Sequence, residues 1–304
     1  MELKKIPARV KLKLQTLRAR YSPVDIVMQT FKEFSLDDGG THVAALTYYT
    51  FFSIFPMLLF GAAVLGYLTL GNETLREDLL DAALDSFPLL RDVFSPAGLE
   101  FIEKRRQELA LTGLVLALYS GTGAIVSLQH ALNKIAGVTE EANWFGKRLA
   151  ALRWLLVFGI GAVASLALGG AAAWAGSIFE GGLAHVLGWT LGHVTGIVVG
   201  VMLFASAYRF LPSKDLTWGD VLPGALLAAI LFEVLKEFGG WYLSRGAEGR
   251  EAAFGVFASA AGLLVASFVL AQVILLAAEL NDVLAQRRLT RQSSVSEAKE
   301  ERDV

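Results

Sequence analysis

LTYYTFFSIFPML, residues 46–58, lies near the start of the first long apolar run of the chain, and its reading decides the fold. The run extends over residues 43–70. That is enough to cross a bilayer, whose hydrocarbon core of roughly 30 Å takes about 20 helical residues. A plain lipid anchor has no use for two tyrosines, two threonines, a serine and a proline in thirteen residues. At about 100° per residue, Thr47, Tyr49, Thr50 and Ser53 share roughly half of the helix circumference, and Tyr48 points elsewhere. Such a stripe should face the bundle interior, either as a packing seam or as the lining of a cavity. Pro56 cannot donate to the carbonyl of Phe52, which predicts a kink and a spare acceptor.

The rest of the chain has the same character. Hydrophobic residues make up 54% of it and charged ones 18%, and the mean hydropathy is +0.51. This composition belongs to the membrane class. The absence of cysteine excludes disulfides and thiolate chemistry. The first apolar run follows about forty residues rich in lysine and arginine, with no small-residue cleavage site after it. It therefore reads as an uncleaved span, not a signal peptide.

Runs of sufficient length occur at 43–70, 109–136, 150–178, 185–211, 221–243 and 254–284. The fifth is interrupted by Glu233, Lys236 and Glu237. Lysine and arginine concentrate in the N-terminal segment, in the 137–149 and 209–220 connections and in the C-terminal tail. By the positive-inside rule both termini are cytoplasmic and the chain crosses six times. The 71–108 connection, with five bases, is the one weak vote. The expected fold is all-α: a six-helix transmembrane domain over 43–288, preceded by a cytoplasmic amphipathic segment over 1–42. Ile6, Val10, Leu14, Leu17 and Tyr21 recur at helical spacing there, and Ser22-Pro23-Val24-Asp25 reads as the start of a further helix through Phe34. Leu75, Leu79, Ala83 and Phe87 predict short helices capping the outer face within 71–108, and 289–304 reads as a disordered tail.

Gly188, Gly192, Gly196 and Gly200 recur every four residues in the fourth span. Gly161, Ser165, Gly169, Ala173 and Ser177 form a similar row in the third. Small residues at this period let helix backbones approach closely, so the two spans are expected to pack together. Ionisable groups inside spans are costly and default to functional candidates. Glu233, Lys236 and Glu237 share one helix face, either lining a cavity or marking a membrane interface where Lys236 snorkels. Arg209 and Glu279, at one depth near the cytoplasmic side, are candidates for a gating or structural clamp with Asn281.

Five segments, taken in order, resemble the YihY/BrkB family of bacterial inner-membrane proteins, once labelled ribonuclease BN. They are AALTYYTFFSIFPMLL (44–59), YSGTGAIVSLQHALNKIAGV (119–138), YRFLP (208–212), DVLPGALLAAILFEVLKEF (220–238) and AELNDVLAQRR (278–288). The resemblance places the family's recurrent polar marks on Tyr48, Tyr49, Pro56, Asn133, Arg209, Pro212, Pro223, Glu233, Lys236, Glu279 and Asn281. It implies an envelope protein of the inner membrane, in some members linked to serum resistance, with transport as the expected activity. AAFGVFASAAG (252–262) departs from the pattern in lacking a tyrosine before the glycine, so ligand contacts of the sixth span are not carried over.

A ribonuclease would need histidines and carboxylates clustered on a soluble face. His42, His130, His185 and His193 are not spaced with acids as metal ligands, and no basic, aromatic-studded surface offers RNA a platform. No catalytic constellation, metal, cofactor or nucleic-acid partner is expected. The candidate substrate contacts are Tyr48, Tyr49, Ser53, Glu233, Lys236 and Glu237. The expected partners are the lipid bilayer, specific lipids within it, and a second copy or an envelope protein. A transporter or lipid-handling protein is the first reading, and a non-transporting envelope factor the alternative.

Overall fold

The computed structural model describes residues 22–68, 100, 104–138, 146–161, 182–244 and 257–303. The described elements are all helices: α1 (Ser22–Leu36), α2 (Gly39–Leu68), α3 (Arg106–Ile135), α4 (146–161), α5 (Gly182–Phe210), α6 (Trp218–Ser244) and α7 (Phe257–Asp303). The expected helix over residues 6–21, the outer cap up to residue 99 and the third-span row from Ser165 to Ser177 lie outside the described residues.

By length and composition alone, Leu111–Ile135, Thr190–Phe210 and Ala260–Thr290 are apolar enough to cross a membrane. The surface says the same. Leu191, Val194, Val198 and Met202 form an exposed row on α5, and Leu222, Leu226, Ile230, Val234 and Phe238 form another on α6. Continuous apolar rows of this kind are untenable in water and suit lipid.

Among the described residues, a protein-facing core lies at the end of the bundle where α2 and α6 begin and α3 and α5 finish. Ala225, Ala228, Ala277 and Ala278 are buried there with Ile125, Leu132, Tyr208, Leu211 and Val221. Without a hydrophobic driving force between helices in lipid, small side chains earn their place by letting backbones meet. The α6–α7 crossing shows this at Gly224, where a Cβ would lie 2.1 Å from the Ala277 carbonyl oxygen. Asn281 clamps the crossing: Gly224 N–H donates to its Oδ1 at 2.6 Å, and its Nδ2 donates to the Val221 carbonyl at 3.1 Å. Pro223 has no N–H for the carbonyl of Gly219, and Arg288 of α7 donates to that carbonyl at 2.8 Å. Tyr208 ties α5 to α7 through a 2.9 Å hydrogen bond to the Ile274 carbonyl.

α1 stops because Asp38 takes a left-handed conformation (φ 56°), and its carbonyl then accepts from Thr41 and His42 to begin α2. Arg287 of α7 reaches back to Asp25 and Gln29, fastening α1 beneath the bundle. α7 is 47 residues long and continues to Asp303, where the polar tail was expected to be disordered. The tail carries Glu297, Lys299, Glu300, Glu301 and Arg302, which are good helix formers, and a helix already nucleated gains one hydrogen bond per added residue.

Candidate functional site

The polar stripe of α2 turns inward only in part: Thr50 is half-buried and Tyr49 is 40% exposed, and the two hydroxyls that do turn in satisfy themselves. Thr47 and Ser53 are buried. The Thr47 hydroxyl donates to its own helix at the Val43 carbonyl (2.7 Å), and that of Ser53 to the Thr50 carbonyl (2.8 Å). Such back-bonding lets a hydroxyl sit in an apolar seam without a partner helix. Tyr49 lies across Gly123 of α3, whose added Cβ would come within 2.9 Å of the ring. Tyr48 faces outward, edge-on to the Tyr49 ring and tilted against Phe52. α2 continues through Pro56 as one helix. Ser53→Ala should therefore cost less than about 1 kcal/mol and leave function intact. Thermal unfolding in detergent checks the first point, and a larger loss would mean that the hydroxyl serves something beyond its own helix.

The charged trio of α6 meets α5. Lys236 Nζ lies 2.7 Å from Glu233 Oε1, with the Glu233 side chain 10% exposed. The Glu233 carboxylate rests on Gly196, where a Cβ would come within 2.3 Å of Oε1. One turn further along, Glu237 meets His193 of α5 at 2.9 Å. Lys236 also lies 5.4 Å from the centre of the Phe232 ring. Acid, base, acid and imidazole thus form one seam between two apolar helices.

That seam reassigns the glycine ladder. Gly196 backs Glu233, and Gly200 lies 3.1 Å by its added Cβ from Ala229 Cβ, so both face α6. No described residue lies within 4 Å of a Cβ added at Gly192, and Gly188 lies in α5. The third span does touch α5, where Gly161 meets Leu203. The period of a glycine row identifies a face, and the neighbour is chosen by the fold.

The expected clamp between Arg209 and Glu279 is not formed. Arg209 lies over Trp218 at 4.3 Å and over Phe210 at 5.3 Å. Glu279 is 1% exposed, and neither of its carboxyl oxygens has a hydrogen-bond partner. Asn281, grouped with this pair, instead holds the α6–α7 crossing.

Three residues enter the polar framework that pattern reading passed over for this role. His193 lies three residues before Gly196 on the ladder face, a position that could have marked it. Arg148 of α4 donates to the Tyr119 carbonyl (2.9 Å) and to the Thr122 hydroxyl (2.7 Å), stitching α4 to α3. Asn133 accepts from Ser213 N–H at 2.7 Å, joining the end of α3 to the α5–α6 connection. Among the described residues no three His, Cys, Asp or Glu side chains converge as a metal-ligand set.

Known proteins resemble this chain, and several of them are named as membrane proteins. YfkH of Bacillus subtilis, whose name calls it ribonuclease-like, is 24% identical over 280 residues, covering 87% of this chain and 97% of that one. A UPF0761 membrane protein of Alkalilimnicola ehrlichii is 23% identical over 274 residues, covering 88% of this chain and 60% of that one. The inner membrane protein YhjD of Escherichia coli is 24% identical over 213 residues, covering 65% of this chain and 63% of that one. The chain thus spans less than two thirds of the length of the last two relatives. No solved structure matches. The family model described as Virulence factor BrkB matches residues 30–302, including all of α2 to α6 and nearly all of α7, and the chain belongs to that family of membrane proteins.

Proposed function

We propose that the chain is a six-span protein of the bacterial inner membrane, with both termini cytoplasmic, that moves or handles a lipid or solute bearing a charged group. The observation that carries this reading is the Glu233–Lys236 ion pair, joined on the same seam by His193 and Glu237. A charged side chain within a span costs about 2.5 kcal/mol or more, so a seam of four ionisable groups between apolar helices calls for a use. Glu233 stands fifteen residues beyond Trp218, about 22 Å along α6. With Trp218 at the cytoplasmic interface, that puts the carboxylate past the midplane and about 8 Å from the outer edge of the hydrocarbon. A headgroup entering laterally from the outer leaflet would meet Lys236 and His193 with its anionic part and Glu233 and Glu237 with its cationic part. No catalytic step belongs to this reading. Nor is the ribonuclease-like name of YfkH carried across, because a polyanion gains nothing by entering apolar helices.

Native mass spectrometry of protein released gently from membrane tests the proposal. Wild type should retain a discrete lipid or solute, and Glu233→Gln should lose it. Equal retention, or none in either form, would remove the seam as the binding site.

The self-contained hydrogen bonding of Thr47 and Ser53 favours a second reading, in which the polar groups serve packing alone. The protein is then a non-transporting envelope factor that recruits a partner through residues 73–107. Deleting that segment should abolish function while the helical core still folds.

A further inference from the structure

Glu279 takes no part in the α5–α6 seam. It is 1% exposed on α7, both carboxyl oxygens lack a hydrogen-bond donor, and its charged neighbours Asp37, Asp282 and Glu33 are all acids. Asp37, at the α1–α2 corner, stands within hydrogen-bonding reach of the Glu279 carboxyl. Two carboxylates accept and cannot donate, so this approach is repulsive unless a positive charge lies between them.

Among the described residues, the arginines and Lys214 at this end of the bundle hold partners other than Glu279. Arg209 stacks on Trp218, and Arg287 holds Asp25 and Gln29. Arg288 holds the Gly219 carbonyl, with Asp220 at 3.6 Å. Lys214, from the α5–α6 connection, donates to the Ala136 carbonyl at 3.1 Å and its charge is felt at Asp282. From α2, His42 faces Asp37, Asp38 and, across in α3, His130 and Lys134. Burial, and then His130, hold the His42 imidazole below its ordinary value, so it is neutral at physiological pH and supplies no charge.

We propose that Glu279 and Asp37 together bind one small monovalent cation where the α1–α2 corner meets α7. The donor set selects the charge of the ligand. Calcium sites gather several carboxylates, whereas among the described residues no three His, Cys, Asp or Glu side chains converge as a metal-ligand set. A proton needs only the facing pair, and an alkali-metal ion would complete its shell with water and carbonyl oxygens. The route in is graded: Asp38 is exposed, Asp37 half-buried and Glu279 buried. A cation arriving at the aqueous end passes from one acid to the next. Once seated, it ties α1 and α2 to α7 beside the Arg287–Asp25 contact, so its loss should loosen that corner.

Scanning fluorimetry of the full chain in detergent tests this at constant ionic strength. One arm titrates NaCl, KCl or LiCl against choline chloride at pH 8. The other compares pH 6 with pH 8 in choline chloride alone. Wild type should melt a few degrees higher with the bound cation, because a ligand held only by the folded state stabilises it. A rise in the first arm identifies an alkali-metal ion, and a rise in the second alone identifies a proton. Glu279→Gln should abolish the response, and its amide can donate to Asp37, so it should melt no lower than wild type in choline at pH 8. Asp37→Asn, at a half-buried corner, should abolish the response too, and serves if the buried variant folds poorly. A wild type that responds in neither arm, or variants that respond as wild type does, would overturn the proposal.

Discussion

Gly224→Val should leave little folded protein to recover from membranes, the largest loss expected of any single substitution here. The reason is the α6–α7 crossing. An added Cβ alone would sit 2.1 Å from the Ala277 carbonyl oxygen and 2.6 Å from Asn281 Nδ2. The first of these is backbone, which cannot swing aside. The neighbouring residues Ala225, Ala228, Ala277 and Ala278 are already small and buried, so no long side chain can yield space. The helices must separate, and Asn281 then loses its bonds to Gly224 N–H and the Val221 carbonyl. Overpacking and two broken buried hydrogen bonds together cost about 3 kcal/mol or more. Native proteins have only about 5–15 kcal/mol to lose. Gly192→Val supplies the comparison, since no described residue lies within 4 Å of the Cβ it would add. Size-exclusion profiles in detergent should show a monodisperse peak for Gly192→Val and a strongly reduced one for Gly224→Val. Equal peaks would mean that α6 and α7 do not cross so closely.

Helix placement was legible because a bilayer reads hydropathy directly. Runs beginning at residues 43, 109, 185 and 221 became helices beginning at Gly39, Arg106, Gly182 and Trp218. Ser22-Pro23-Val24-Asp25 likewise opened α1 as its capping residues required. What stayed hidden was which faces meet. The glycine row of α5 announced a close approach without naming α6, because helical period carries no information about the neighbour. Depth alone suggested Glu279 as the partner of Arg209, while Trp218, just across the short α5–α6 connection, offered the guanidinium an aromatic face at no desolvation cost. Asp37 and Glu279 are separated by most of the chain, and only the α1–α2 corner brings them together. The trio on α6 was visible as charge in an apolar run, whereas His193 looked like an isolated ring until Glu237 stood opposite it.

The α6 ion pair should respond asymmetrically to its two single substitutions, and the asymmetry separates structural from functional roles. Lys236→Met leaves the Glu233 carboxylate, 10% exposed and pressed on Gly196, without its cation. Removing one partner of a buried pair strands the other charge, and the loss here should be about 3 kcal/mol, the lower end of that class because Lys236 itself is a third exposed. Glu233→Gln strands much less. The amide keeps the shape, Lys236 can snorkel along its own aliphatic stem, and the cost should be about 1 kcal/mol. The double variant removes both charges, so it should regain most of what Lys236→Met lost and cost about 1 kcal/mol, giving a coupling of about 3 kcal/mol. A flat cycle, in which the two costs simply add, would mean that the 2.7 Å contact contributes nothing in the membrane. The double variant then isolates function. It should be folded and stable yet retain no lipid or solute in native mass spectrometry, since the charges that would grip a headgroup are gone while the helix packing is kept. Retention at the wild-type level would assign the pair to holding α5 against α6, and the envelope-factor reading would take its place.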